Sequence, residues 1–142
     1  KHADAQTNAR KVAQSLGIAD LWDRKPVQLS GGQRQLVALA QVVINQPRVW
    51  LLDEPTASLD SDSEARVWQV LANNVRTEDI LIVSTHRPLQ AMKLATRVIV
   101  MQQGEVVKDG KPETVLPQLM ARTAGTPATV ASSVQGGNRY VV

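Results

Sequence analysis

The chain has 142 residues, of which 43% are hydrophobic, and a formal net charge of +3 at pH 7. This is enough apolar material for one packed domain or for part of a larger one. Cysteine is absent, which excludes disulfide bonds, thiolate chemistry and cysteine-based zinc sites. Basic residues are scattered, so the charge predicts a solvated surface and no nucleic-acid partner. Apolar runs such as VWLL and VIVM are far shorter than the roughly 18 residues that a membrane span needs.

The first third of the chain predicts two helices joined by a connector. Residues 5–16 place small and apolar side chains at helical spacing, and Gly17 follows as a natural C-cap. A connector that contains Pro26 leads to Ser30, which is a favourable N-cap for a helix over 33–45.

The middle of the chain alternates between extended and helical segments. RVWLLDEP is a continuous apolar run, typical of a strand that is buried on both faces of a parallel sheet, and DILIVSTH is a second such run. Between them, TASLDSDSEARVWQVLANNV predicts a turn, an N-cap and a helix.

The last third predicts shorter elements and then an irregular end. PLQAMKLA predicts a short helix, RVIVMQQGEVVKDG a hairpin and KPETVLPQLM a last helical piece. Residues 121–142 show no periodicity and predict a flexible tail. The order of the elements predicts an α/β fold with a mostly parallel sheet, in which ligands gather at the carboxyl ends of the strands.

Four short motifs carry groups suited to phosphate chemistry. Asp53 ends the first predicted strand and suits Mg2+, while Glu54 follows it and suits the activation of water. Ser30 and two glycines precede a helix, whose backbone donors and dipole attract anions. Ser-Leu-Asp occupies 58–60, and His86 ends the second strand, where it can donate a hydrogen bond to a phosphate oxygen. Taken singly, each motif has a plain structural alternative: capping acids, a glycine turn, a helix cap and a structural histidine.

Together and in this order, the motifs resemble those of the ATP-binding cassette (ABC) ATPases. LSGGQ at 29–33 is similar to the signature motif, VWLLDE at 49–54 to the Walker B strand, SLD at 58–60 to the D-loop, and His86 to the switch histidine. The resemblance covers about residues 5–120 and implies a partial P-loop NTPase-like ABC ATPase domain.

The resemblance also implies an organisation and a role for each motif. Residues 1–28 would be the end of the helical subdomain and 29–120 the signature-to-C-terminal part of the core. Asp53 would position Mg2+, Glu54 would act as general base or orient water, and His86 would contact the γ-phosphate of ATP. Asp60 would communicate across a head-to-tail interface with a second nucleotide-binding domain, as part of a homo- or heterodimer. The γ-phosphate of the ATP held mainly by that second domain would be contacted by Ser30, Gly31, Gly32 and Gln33.

One part of the family pattern is absent from the chain. A phosphate-binding loop reads G-x-x-x-x-G-K followed by Ser or Thr. DGKPE at 109–113 comes nearest to it, but Pro112 stands at the hydroxyl position. The resemblance therefore implies a C-terminal part of the domain, with ATPase activity in the full-length protein and negligible hydrolysis by this chain alone. Leu36 and Gln41 stand where the family commonly has arginine.

The motifs leave the biological setting open. THRP at 85–88 resembles exporter-type domains, particularly those of type I secretion. It predicts an exporter with transmembrane domains fused upstream, at the cytoplasmic face of the plasma (inner) membrane. DRKPVQLSGGQ is importer-like, so an ABC importer ATPase subunit is an alternative. A further alternative is a non-transport ABC-type ATPase of DNA maintenance or translation, against which the absence of heptads in 1–28 argues weakly.

Overall fold

A computed structural model of the chain describes residues 2–87, 91, 93–115, 117 and 139–141. The chain divides into two compact units, Lys1–Leu81 and Ile82–Val142. None of the described helices combines the length and the hydropathy that crossing a membrane requires.

The first unit is built on three α-helices that pack on one another: α1 (His2–Ser15), α2 (Gly31–Asn45) and α3 (Ser61–Asn74). Short 3-10 helices at Ala19–Leu21 and Pro26–Gln28 lie between α1 and α2. The core of this unit is aliphatic apart from two buried indoles, Trp50 and Trp68.

The end of α1 confirms the predicted glycine cap. Gly17 has a φ of 71°, and the next residue, Ile18, donates its N–H to the carbonyl of Ala13 at 2.9 Å. The N–H of Gly17 reaches the carbonyl of Gln14 at 3.0 Å. These two bonds form a Schellman motif, in which glycine is favoured because it adopts a positive φ without a Cβ clash.

The start of α2 also follows the sequence prediction, although the helix begins at Gly31 and not at residue 33. The Ser30 hydroxyl accepts from the N–H of Gln33 at 3.2 Å, and the Gln33 side-chain oxygen accepts from the N–H of Ser30 at 2.9 Å. This reciprocal capping box satisfies two donors at the helix start. At the other end, Gln46 closes the helix with a left-handed backbone, and Pro47 follows.

Strand β1 (Val49–Asp53) differs from the prediction that it is buried on both faces. Trp50 is fully buried, whereas Val49 and Leu51 are 51% and 70% exposed. Side chains alternate along a strand, so Val49 and Leu51 lie on the face opposite Trp50, and that face is uncovered in the part of the chain that the structure describes. The first residue of β2 (Ile80–Thr85) donates its N–H to the carbonyl of Arg48 at 2.9 Å.

The second unit contains β2 from Ile82 onward, followed by β3 (Val98–Gln102), β4 (Glu105–Gly110) and β5 (Arg139–Val141). The strands are ordered β2-β5-β3-β4, and each adjacent pair is antiparallel. Because β5 is antiparallel to both of its neighbours, β2 and β3 run in the same direction. Val98, Val100 and Val115 form a buried cluster in this unit.

The hairpin predicted in RVIVMQQGEVVKDG is confirmed as β3 and β4. Gln102 pairs with Glu105, so the connection has two residues, Gln103 and Gly104. Their φ angles are 52° and 85°, as in the turns that match the twist of a two-residue hairpin. The pairing register shifts between Val100 and Met101.

The remaining predictions are covered only in part by the described residues. Residues 112–115 are helical, as expected for KPETVLPQLM, while four of the eight residues of PLQAMKLA lie outside the described residues. Most of the predicted tail, 121–142, also lies outside them. Within it, β5 is a strand that the prediction did not include. Tyr and Val favour strands, but three residues are too few to show a periodicity.

Candidate functional site

The two glycines of the signature segment (29–33) have different surroundings. A Cβ built on Gly31 meets no atom within 4 Å, so this backbone is open. A Cβ built on Gly32 would lie 2.9 Å from the Ser58 carbonyl oxygen and 3.2 Å from Leu59 Cδ2. Gly31 therefore leaves room for a ligand, whereas Gly32 allows close contact with the SLD loop (58–60).

The signature segment and the SLD loop line a common pocket of about 300 Å³ within the first unit. Its polar lining comes from both segments and from Asp20 and Ser63, and its apolar lining includes Leu21, Leu36 and Leu59. The structure thus brings together four residues that were predicted from the sequence as parts of a site: Ser30, Gly32, Gln33 and Asp60.

The start of α2 presents backbone N–H groups to a pocket that is also lined by the carboxylates of Asp20 and Asp60. The first turn of α2 contains no acidic residue, and its aligned N–H groups give this end a partial positive charge. Arg34 donates from Nη1 to the Leu29 carbonyl at 2.6 Å, which holds the signature segment against the helix.

Asp60 is engaged by the start of α3, for which it is the N-cap. Its Oδ1 accepts from the Ser63 N–H at 2.9 Å, and its Oδ2 accepts from the Ser63 hydroxyl at 3.0 Å. These bonds favour the ionised form and hold the pKa of Asp60 below its ordinary value of 3.8. The capping role predicted for Asp60 is thus present, while its proposed role across an interface stays a prediction.

The acidic pair lies at the end of β1, where Asp53 is the last residue of the strand and Glu54 follows with an unusual backbone. Asp53 is exposed and Glu54 is half-buried, with Oε1 of Glu54 inside the protein. Glu54 has a φ of 47°, a left-handed conformation that residues other than glycine rarely adopt. Its carbonyl oxygen accepts from Gln35 Nε2 at 2.7 Å and from the Ala57 N–H at 3.2 Å. Such outliers persist only where surrounding contacts enforce them.

The acids can be compared with what a metal requires. Among the described residues, no three acidic, cysteine or histidine side chains cluster into a ready-made cage for a metal ion. Mg2+ does not need such a cage, since it is commonly held by one or two carboxylates together with phosphates and waters. The exposed carboxylate of Asp53 fits that mode of binding.

The loop between Glu54 and Asp60 is held by a buried polar contact. Thr56 is 1% exposed, and its hydroxyl donates to Glu64 Oε1 at 3.2 Å. Glu64 lies in the first turn of α3 and is itself buried. Neither residue stands out in the sequence: Thr56 reads as an ordinary turn residue, and Glu64 as an acid at a helix start. Gln35 was missed for the same reason, because it reads as a surface residue of a helix.

His86 belongs to the second unit, where it directly follows β2 and is exposed. The next residue, Arg87, donates its N–H to the Thr85 hydroxyl at 3.0 Å, which shapes the turn after the strand. Asp53 and Glu54 lie in the first unit. The role of His86 at a phosphate remains a prediction.

Comparison with known proteins relates the chain to one protein family. Residues 2–57 match the family described as ABC transporter. The maltose/maltodextrin import ATP-binding protein MalK of Photorhabdus laumondii is 38% identical over 113 residues, covering 79% of this chain and 31% of that protein. The arginine transport ATP-binding protein ArtP of Haemophilus influenzae is 38% identical over 110 residues, covering 78% and 45%. The sn-glycerol-3-phosphate import ATP-binding protein UgpC of Vibrio cholerae is 36% identical over 148 residues, covering 97% and 40%.

Two features of these relatives bear on the predictions. The chain spans less than half the length of each of the three. MalK and UgpC are named as import proteins, so the export and type I secretion prediction finds no support among them. That prediction depended on the four residues THRP, of which His86 and Arg87 are exposed.

Solved structures confirm the predicted fold class. The ADP conformation of MJ1267, an ATP-binding cassette of an ABC transporter, aligns with a TM-score of 0.59 at 23% identity. The alignment covers 87% of this chain and 51% of that one. A second structure of MJ1267 gives a TM-score of 0.62. The described chain is therefore a partial α/β domain with the fold of the ABC ATPases.

Proposed function

Because this chain carries part of an ABC transporter ATP-binding domain, we propose that it belongs to the ATP-hydrolysing subunit of an ABC importer. The pocket shared by the signature segment and the SLD loop carries the proposal, since it joins an anion-binding helix start to the loop that follows the acidic pair. The import ATP-binding proteins among the relatives favour the importer alternative over the exporter first predicted.

The proposed chemistry assigns separate tasks to the acidic residues and to the histidine. Asp53 would contribute a carboxylate to Mg2+, which supplies charge neutralisation at the phosphates when it is bound. Glu54 would orient the attacking water and accept its proton. His86 would donate a hydrogen bond to the γ-phosphate. In such a reaction, positioning and electrostatic stabilisation supply most of the catalysis.

The signature segment would act on a nucleotide held by another domain. Gly31 is open, and the α2 start attracts anions, so a terminal phosphate presented from outside the first unit fits this surface. Ser30, Gly32 and Gln33 would shape the contact. The partner would be a second ATP-binding domain, identical or different, and both would work with transmembrane domains at the cytoplasmic face of the membrane.

The role of Glu54 is tested by Glu54→Gln in the complete protein with its transmembrane partner. We expect ATP hydrolysis to fall by about 10²–10⁴-fold, because an amide cannot accept the proton. Binding of a fluorescent ATP analogue is expected to persist. Glu113→Gln is the matched control, since Glu113 is an exposed carboxylate outside the proposed site. Unchanged hydrolysis in Glu54→Gln would remove Glu54 from the mechanism.

The direction of transport is tested with cells that express either the normal protein or Glu54→Gln. A panel of labelled sugars, amino acids and glycerol phosphate covers the chemistry in the names of the relatives. An importer predicts that uptake of one of these compounds depends on Glu54. If the variant cells instead retained more of a compound that normal cells expel, the protein would be an exporter.

A further inference from the structure

Gln35 on the second turn of α2 reaches out of its helix to the backbone of Glu54. Its Nε2 donates to the Glu54 carbonyl oxygen at 2.7 Å, across 19 positions of sequence and in a partly buried setting. This is a direct side-chain link between the helix that begins at the signature segment and the turn that carries the acidic pair.

The bond acts on a backbone that needs support. Glu54 is in the left-handed region at a φ of 47°, where the Cβ of an L-residue is crowded. Its carbonyl oxygen accepts two hydrogen bonds, one from Gln35 and one from the Ala57 N–H at 3.2 Å. The Ala57 bond is local to the turn, whereas the Gln35 bond ties the conformation to a separate element.

The side-chain oxygen of Gln35 shows that packing alone does not explain why a glutamine occupies this position. Because the partner is a carbonyl oxygen, the amide must present Nε2 to it. The other atom, Oε1, is buried and has no hydrogen-bond partner among the described residues. A buried acceptor without a partner destabilises a protein, so an apolar side chain would suit this position better if only packing mattered.

We propose that Gln35 is a positioning residue that holds the left-handed backbone of Glu54 and thereby aims its carboxylate. The inference rests on the proposed ATPase function. The hydrogen bond from Gln35 also connects the helix that begins at the signature segment to the acidic pair. Gly31 and Gln35 are one helical turn apart on α2, so a shift of the helix start on ligand contact moves the amide that restrains Glu54.

Two variants in the complete transporter separate the effect of the Gln35 hydrogen-bond donor from the effect of its side-chain shape. Gln35→Met keeps the length of the side chain and removes the donor, whereas Gln35→Glu keeps the shape and replaces the donor with an acceptor. We expect both to lower kcat by between about 10- and 100-fold, because a small misplacement of a reacting group has effects of this size. KM for ATP and the affinity for a fluorescent ATP analogue are expected to change by less than about twofold.

The control is Gln41→Met on the same helix, where the side chain is exposed. It is expected to retain normal kcat. If Gln35→Met lost ATP binding and hydrolysis together, along with a lower melting temperature than Gln41→Met, the residue would be structural and the proposal overturned. Normal kcat in both Gln35 variants would overturn it as well.

A double-mutant cycle separates this proposal from the proposed function. If Gln35 acts through Glu54, Gln35→Met has no further effect on the residual hydrolysis of Glu54→Gln. A full additional loss in that background contradicts the positioning role. If Glu54→Gln itself leaves hydrolysis intact, the proposed function fails, whatever Gln35 does. If Glu54→Gln abolishes hydrolysis and the Gln35 variants do not lower it, only the positioning role fails.

Discussion

Gly31 and Gly32 illustrate how neighbouring identical residues serve different purposes. The helix start at Gly31 is open, whereas the space beside Gly32 is occupied by the backbone of the SLD loop. A backbone oxygen cannot rotate away as a flexible side chain can, so a methyl group at Gly32 requires the loop itself to move. The signature segment thus uses one glycine for access and the other for contact between two segments of the site.

We expect Gly32→Ala to lower the free energy of unfolding by about 1–3 kcal/mol, the usual range for an inserted methyl group in a packed site. Gly31→Ala is expected to stay within about 0.5 kcal/mol of the unsubstituted protein, as is usual for exposed positions. Urea denaturation of both variants in the full-length protein provides the measurement. Equal losses in the two variants would contradict the assignment of different surroundings.

At the scale of elements, helix ends determine the geometry of the site. Ser30 caps α2 and Asp60 caps α3, and each cap places its loop at the shared pocket. Ionised Asp60 also interacts favourably with the N-terminal dipole of α3. Arginines favour the ionised form of two other carboxyl groups. Hydrogen bonds from Arg76 and Arg97 lower the pKa of Asp79 and Asp109, respectively.

These depressed pKa values predict how stability depends on pH. Each carboxyl group has a folded pKa below its ordinary value of 3.8, so the unfolded chain binds protons first as the pH falls. The stabilisation is present above about pH 4 and is lost as the pH falls through the folded pKa. Asp60→Asn keeps a cap and removes one titrating group. We expect its unfolding free energy to decline less between about pH 5 and pH 2, as measured by urea denaturation. An identical decline in both proteins would exclude a contribution from Asp60.

At the scale of the whole molecule, the chain contains the groups that we propose act on a phosphate, and its sequence lacks the loop that would bind one. The fold and the family match are those of ABC ATPases, but no G-x-x-x-x-G-K segment occurs in the 142 residues. The signature segment, the acidic pair and His86 are all present.

We therefore expect the isolated 142-residue chain to hydrolyse ATP at no more than the background rate. The assay is phosphate release, and the complete protein measured at the same concentration is the reference. Turnover by the isolated chain that disappears in Glu54→Gln would show that this part of the domain is sufficient. Turnover that persists in Glu54→Gln would indicate a contaminating enzyme.

Local chemistry explains which predictions from the sequence were confirmed. Gly17, Ser30 and the turn at Gln103 and Gly104 depend on residues only a few positions apart, so their types predict their conformations. The contact of Gln35 with Glu54 depends on how α2 lies against the turn after β1, which no local pattern encodes. The burial of β1 was mispredicted because an apolar run does not reveal which of its faces is covered.

The predicted transport direction finds no support among the relatives because of the kind of signal from which it was inferred. A motif of four residues such as THRP carries little information, so unrelated branches of a family can share it. The similarity to proteins named as import ATP-binding proteins is spread over more than 100 residues. Long-range similarity of this kind cannot be inferred from the motifs of one sequence.

The buried hydrogen bond from Thr56 to Glu64 has a consequence for binding that concerns entropy. It fixes the segment between Glu54 and Asp60 to α3 in the folded chain, before any ligand arrives. The segment therefore loses its conformational freedom during folding, when the helices of the first unit pack, and not during association. Because the loop is already ordered, binding carries a smaller entropic cost. A partner that docks on it therefore binds more tightly without any additional contact.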